Sequence, residues 1–402
     1  MDDSRLGSPH FRVLDGWRGI CACLVAAFHC MAYSHIHALP FLRNAFLFVD
    51  FFFALSGFVI AANYRAKLRQ GFGVGRFMFL RWGRLYPLHF ATLMFLVGME
   101  CLALAMPEVS GRSAFTGSDR NVGSLVSNLL LLQGIGLDSS LSWNFPSWTI
   151  SAEFWTYFLF ALAAVALPVG WLRVVLLAVA LTAPLLLGVL SSQNMAATYD
   201  YGILRALGGF AAGAICFDVY TVLRRLDLPH PAPWLFSAAE GVLILGVVLF
   251  VSAAGQTSLS LFAPLVFSLT ILLFSVEGGL FSRLLRSGPA ILLGTLSYSI
   301  YMVHVPLQMV TKMLARAFER ETGVPVFTPV ILGEDRVMML GRTLWQGDVA
   351  LVAILAATLI VSALTYFWIE APCRRFTRRL VDRRSNAKSR AEPNLALPER
   401  AA

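Results

Sequence analysis

The sequence predicts an all-α, polytopic integral membrane protein of about ten transmembrane helices with both termini cytoplasmic. Three observations predict it. Of 402 residues, 57% are hydrophobic and only 14% are charged, where a soluble domain carries about 25% charged residues. The apolar residues gather into ten runs, each near the ~20 residues that a ~30 Å hydrocarbon layer requires. The basic residues fall mostly on one side of that arrangement. Mean hydropathy is +0.70, and together these features exclude a cytoplasmic globular enzyme.

The elements follow in order. The first nineteen residues (MDDSRLGSPHFRVLDGWRG) are polar and carry no cleavage pattern, so the first apolar run is expected to be a retained span. The runs fall at about 18–36, 45–62, 85–106, 147–167, 172–190, 203–219, 235–253, 260–276, 289–311 and 348–369. Residues 122–135 are too short to cross and read as an interfacial or re-entrant piece. Residues 312–347 read as a long, partly helical loop with scattered charges. No internal repeat or low-complexity segment stands out. The expected organisation is a cytoplasmic segment at 1–11, a membrane domain at 12–370 and a basic, disordered cytoplasmic tail at 371–402.

Ten spans place both termini on one side, and 23 of the 32 Lys and Arg lie on that side. Positive-inside counting makes it the cytoplasm. The net charge of +9 then needs only anionic lipid as a partner, not nucleic acid. The six cysteines have spacings that suit neither zinc ligation nor a disulfide framework, so no metal is expected and they read as small packing residues.

Polar residues at membrane depth are costly and therefore candidates for function. Arg18 and His29 are eleven positions apart in the first run, about three helical turns, so they share one face about 16 Å apart along the axis. That suits a long ligand with an anionic head and a reactive end: arginine holds phosphate, and neutral histidine takes a proton from a hydroxyl. A snorkelling arginine with a structural histidine bonded to a backbone carbonyl is the alternative. Arg81 and Arg84 share a face at i, i+3 and form either an anion clamp or ordinary flanking charge. Glu153 opens the fourth run in Trp148-Thr-Ile-Ser151-Ala-Glu153, at about the depth of His29, which it could orient; a protonated carboxylic acid bonded between helices is the alternative. Ser297-Tyr298-Ser-Ile-Tyr301-Met-Val-His304 brings hydroxyls and a second histidine to similar depth. Ser151, Tyr298, Tyr301, His304 and Asp50 are accordingly structural or substrate-lining. Glu370 is expected to pair with an arginine.

Several of these segments together resemble the membrane-bound acyltransferase family 3. They are Arg12-Val-Leu-Asp15-Gly-Trp-Arg18 with its ten-residue spacing to His29, Phe51-Phe-Phe-Ala-Leu-Ser56-Gly57-Phe58, and Arg81-x-x-Arg84-Leu-Tyr-Pro87. Trp148-x-x-Ser151-x-Glu153, Ser297-Tyr-Ser-Ile-Tyr301-x-x-His304-x-Pro306 and Glu370-x-Pro372 complete the set. The resemblance covers about residues 12–375. It departs mildly at Trp17, where a small aliphatic residue is usual, and at Thr149, where serine is common.

The resemblance implies O-acyl transfer, often of acetyl, from cytoplasmic acyl-coenzyme A to a hydroxyl of a carbohydrate or lipid-linked glycan. The enzyme would lie in the bacterial inner membrane, with acyl-CoA as a co-substrate and no permanently bound cofactor. His29 inherits the role of general base with Glu153 beside it, and Arg18, Arg81 and Arg84 that of binding the donor. A transporter or flippase using the same buried groups for gating is the competing class. The lack of internal repeats and of broken half-helices weighs against it.

Overall fold

The computed structural model describes residues 11–105, 114–117, 119–226, 232–332 and 335–391. The calls on residues 1–10 and 392–402 lie outside them. Among the described residues the regular elements are helices apart from one short hairpin. The longer helices are α1 (Arg12–His29), α2 (Phe48–Lys67), α3 (Val74–Ala105) and α4 (Val122–Leu129). Next come α5 (Trp148–Ala166), α6 (Val169–Leu190), α7 (Gly202–Arg225) and α8 (Pro233–Ala254). The last are α9 (Ala263–Phe274), α10 (Gly288–Thr322), α11 (Leu344–Thr365) and α12 (Ala371–Ala391).

Among the described residues, eight helices are long and apolar enough to cross a membrane by length and composition. Two of the ten expected runs form helices that fall short of that standard. One is the Ser258–Phe274 helix, which is simply shorter. The other is α1, which carries Arg12, Asp15 and Arg18 in its first two turns. It begins six residues before the apolar run does, because those charges are satisfied: Asp15 pairs with Arg18 at 3.1 Å, and the Glu277 carboxylate accepts the Val13 backbone N–H at 3.1 Å. Helix α1 also ends before the apolar run does, at His29, where Cys30 turns extended.

Residues 312–347 are partly helical, as expected, but they also hold a hairpin that was not. Helix α10 continues to Thr322, and an antiparallel hairpin follows, β1 (Phe327–Leu332) against β2 (Asp335–Leu340). The segment after α1 pairs with it: Tyr33 N–H donates to Leu340 O and Leu340 N–H to Met31 O, each at 2.9 Å. The hairpin is thus tied to the end of α1 that carries His29. The basic tail also departs from expectation. It continues as helix α12 from the π-turn at Tyr366–Glu370, with Thr377 and Val381 buried.

Two helix crossings set the core. Helices α1 and α10 run parallel, and a Cβ on Gly19 or Gly294 would collide with the other helix's backbone. Helices α2 and α7 cross just as closely: a Cβ on Gly57 would strike the Phe210 carbonyl, and one on Gly213 the Ala54 carbonyl. Small residues at such crossings let backbones pack without side chains between them, which is how membrane helices gain dispersion energy. Gly57→Val is therefore expected to force α2 and α7 apart at a cost of about 1–3 kcal/mol. Thermal unfolding of the purified protein checks this, with Gly246→Ala as the control, since nothing lies within 4 Å of a Cβ there. Equal melting temperatures for the two variants would contradict the packing argument.

Candidate active site

The site is built on the parallel pair α1 and α10, whose facing side chains form rungs. At one end the Arg18 Nε donates to Ser297 Oγ at 2.8 Å and its Nη2 to Gly294 O at 2.8 Å. At the other end His29 Nδ1 lies 3.0 Å from His304 Nε2. Arg18 and His29 do share a face, as their spacing requires, and it is the face turned to α10. Two polar side chains complete broken backbone ladders near the histidines. Pro306 cannot donate to the Met302 carbonyl, and Asn144 Nδ2 donates there at 2.9 Å. The last turn of α1 leaves the Ala26 carbonyl without a helical partner, and Gln308 Nε2 donates to it at 3.1 Å.

His29 is half-buried at the C-terminus of α1, its ring edge-on to Phe145 with centroids 5.1 Å apart and tilted against Phe28 at 4.7 Å. The His304 ring is fully buried, its centroid 5.0 Å from that of His29 and the two planes 25° apart. His304 Nδ1 lies 3.2 Å from the Ile300 carbonyl oxygen of its own helix.

Towards the arginine end, helices α1, α2, α3, α5 and α10 enclose a cavity of about 140 Å³. Arg18, Arg81 and Arg84 line it together with Ser56, Glu153, Tyr157, Ser297, Tyr298 and Tyr301. Arg81 stacks over the Tyr64 ring at 4.9 Å and donates to the Tyr64 hydroxyl at 3.0 Å, while its buried Nε has no hydrogen-bond partner. Among the described residues, no hydrogen bond or ion pair holds the Arg84 guanidinium, although it lies in the field of Glu370, Glu153 and Asp15. Gly83, between the two arginines, presses on Thr377 of α12, so the tail helix fixes this stretch of α3. Glu153 Oε1 accepts hydrogen bonds from the Ser56 and Tyr157 hydroxyls, and those hydroxyls lie 2.9 Å apart. The Tyr298 hydroxyl donates to the Leu85 carbonyl.

Tyr301 stands between the cavity and the histidine pair. It lines the cavity, its ring centroid is 5.8 Å from that of His304 and 5.9 Å from that of Phe52, and its hydroxyl donates to the Pro146 carbonyl at 3.2 Å. The arrangement is an arginine-lined chamber and a histidine pair, separated by one aromatic layer.

The expected site residues therefore divide. Arg18, Arg81, Arg84, Glu153, Tyr298 and Tyr301 meet at the cavity. His29 and His304 pair just beyond it. Glu153 does not reach His29: similar depth said nothing about lateral position, and its carboxylate turns to α2. Asp50 does not line the cavity; it forms a bidentate ion pair with Arg205, at 2.9 and 2.8 Å, with both side chains almost wholly buried. Ser151 is also structural, donating to Leu131 O at 2.6 Å and accepting from Gly134 N–H at 3.1 Å, which anchors the piece that follows α4. Glu370 pairs with Arg374 at 4.0 Å, as expected, and also accepts from Ser299 at 2.9 Å. Ser56 and Ser297 stand in segments that the sequence reading quoted for other residues, and with Tyr157 they were not named as site residues. Tyr157 had a usable signal, sitting one turn after Glu153.

Comparison with known proteins agrees with this architecture. A family model described as an acyltransferase domain matches residues 11–369. Protein 2 in the picA locus of Rhizobium radiobacter is 32% identical over 155 residues, 36% of this chain and 76% of that protein. Acyltransferase MdmB of Streptomyces mycarofaciens is 36% identical over 116 residues, 28% of this chain and 27% of its own length. BcsY of Komagataeibacter xylinus, which carries the name of a membrane-bound transacylase, is 26% identical over 300 residues, 73% of this chain and 72% of its own. No solved structure matches significantly. With the match running from the first turn of α1 to the π-turn before α12, the chain belongs to the acyltransferase 3 family of multi-pass membrane proteins.

Proposed function

We propose that the protein transfers an acyl group, acetyl in the simplest case, from cytoplasmic acyl-CoA to a hydroxyl of a carbohydrate or lipid-linked glycan, with His29 as general base. The observation that carries this reading is the convergence of Arg18, Arg81 and Arg84 on one cavity, with the Arg84 guanidinium unpaired among the described residues. Asp15 holds Arg18, but among the described residues the Arg84 guanidinium keeps its donors free, and guanidinium matches phosphate oxygens two at a time. The phosphates of coenzyme A supply such an anion at the cytoplasmic face of a bacterial inner membrane, where the excess of basic residues orients the chain. The pantetheine arm then extends along α1 towards His29, crossing the layer of Tyr301 and Phe52.

His29 takes the proton of the acceptor hydroxyl as its oxygen attacks the thioester carbonyl. The tetrahedral intermediate collapses with loss of the thiolate, which recovers the proton from the imidazolium. Glu153, held by Ser56 and Tyr157, acts on the donor side: it balances the arginine charge, and those hydroxyls offer hydrogen bonds to the pantetheine amides. The names of MdmB and BcsY support acyl transfer as the reaction class; the acceptor is assigned here from the chemistry of a hydroxyl entering from the histidine end.

The test is release of free thiol from acetyl-CoA by the purified protein in lipid nanodiscs, with a polysaccharide or glycolipid acceptor. Arg84→Ala is expected to raise the KM for acetyl-CoA by about 10- to 100-fold, the loss of one charge-assisted hydrogen bond of about 1.5–3 kcal/mol, with little change in kcat. A protein that moves a glycan across the bilayer while releasing no thiol would overturn the reading in favour of a flippase.

A further inference from the structure

We infer that His304 is a positioning residue which fixes the tautomer of His29, so that Nε2 of His29 is the basic atom. The inference rests on the reading of His29 as the base. It follows from two distances and the hydrogen-bonding inventory of neutral imidazole. The Ile300 carbonyl oxygen only accepts hydrogen bonds, and His304 Nδ1 lies 3.2 Å from it; His304 therefore carries its proton on Nδ1. A neutral imidazole has one such proton, so His304 Nε2 presents a lone pair. That lone pair faces His29 Nδ1 at 3.0 Å, which makes His29 Nδ1 the donor. His29 Nε2 is then left unprotonated on the far side of a ring that is half-buried and thus reachable by a hydroxyl.

One further acceptor stands by the pair, the Val25 carbonyl one turn back on α1, which shares the His29 ring N–H with His304. The rings against the pair belong to Phe28, Phe145 and Tyr301. Among the described residues, no Asp or Glu forms an ion pair or hydrogen bond with either imidazole. The nearest further cation along α10 is Lys312, eight residues on from His304 and beside Cys30. A carboxylate often orients a catalytic histidine; here backbone carbonyls do so, Ile300 through the second histidine and Val25 beside the first. When His29 accepts the hydroxyl proton at Nε2, its Nδ1–H keeps donating to His304, which stabilises the imidazolium. The proton leaves again from Nε2 to the departing thiolate, so the relay itself returns unchanged after each turnover.

Solid-state NMR of ¹⁵N-histidine-labelled protein in nanodiscs, with His29 assigned by difference against His29→Gln, reads the tautomer directly. Protonated Nδ1 and bare Nε2 at His29 are expected; a proton on Nε2 overturns the inference whatever the activity. In kinetics, His304→Ala is expected to lower kcat about 100-fold or more, leave the KM for acetyl-CoA unchanged and move the acidic limb of the kcat–pH profile. His304→Gln, whose side-chain oxygen still accepts from His29 Nδ1–H, is expected to recover most of the loss. Unaltered kcat and pH profile in a folded His304→Ala protein would sink the role of His304 alone. Full activity in His29→Ala would instead sink the base assignment, so the two failures are told apart.

Discussion

His29→Ala is expected to lower kcat for acyl transfer by about 10²- to 10⁴-fold, the usual contribution of a positioned general base, while the KM for acetyl-CoA stays near its wild-type value. The two constants separate because the two chambers do. On the proposed reading donor affinity would reside in the arginine-lined cavity, which His29 does not line. The variant is also expected to fold normally. The His29 ring is half-buried at the last residue of α1, and the end of that helix is held independently by Gln308 on the Ala26 carbonyl and by the Met31 and Tyr33 bonds to β2. Thermal unfolding should therefore change little, and thiol release should be almost lost. A folded His29→Ala protein that transfers acyl groups at the wild-type rate removes the histidine from the chemistry. The donor cavity would then need a base of its own, for which Glu153 is the only carboxylate among the residues that line it.

The histidine end also shows what could be read in the sequence and what could not. Spacing within one helix was legible: Arg18 and His29 point the same way because eleven residues make close to three turns. Where that helix starts was not. A run of apolar residues begins after the last charge, but Asp15 and Glu277 let helix α1 begin at Arg12. The helix then stops at Cys30, where the chain turns to pair with β2, so His29 is its last residue instead of a residue at mid-span. Contacts between helices were still harder. Glu153 and His29 had similar depth, yet depth is one coordinate of three, and helix α10 supplies the partner that Glu153 was expected to be. The close crossings at Gly19 with Gly294 and at Gly57 with Phe210 decide which faces meet, and a glycine in an apolar run does not name its opposite number. The β-hairpin was hidden because residues 327–340 are too few and too mixed to stand out from a loop.

Asp50→Ala is expected to destabilise the protein by about 3–5 kcal/mol, the cost of leaving one charge of a buried pair without its partner, and so to abolish folded protein at ordinary expression levels. The pair joins the same two helices that cross at Gly57 and Gly213. Arg205 of α7 meets both carboxylate oxygens of Asp50 on α2 and also donates to the Ala197 and Phe46 carbonyls, at 3.1 and 3.2 Å. Arg205→Ala is expected to cost as much. The double variant Asp50→Leu with Arg205→Met is the informative one, because replacing a whole buried pair by apolar groups is often neutral or better. It should regain most of the lost stability, short of the two carbonyls left without Arg205. It should also transfer acyl groups with wild-type kcat and KM, since neither side chain lines the cavity or touches the histidine pair. A double variant that melts near the wild-type temperature yet has lost transfer would instead place Asp50 at the acceptor. An intact fold with intact transfer makes the ion pair a strut between α2 and α7 and confines the chemistry to α1, α10 and the cavity they share.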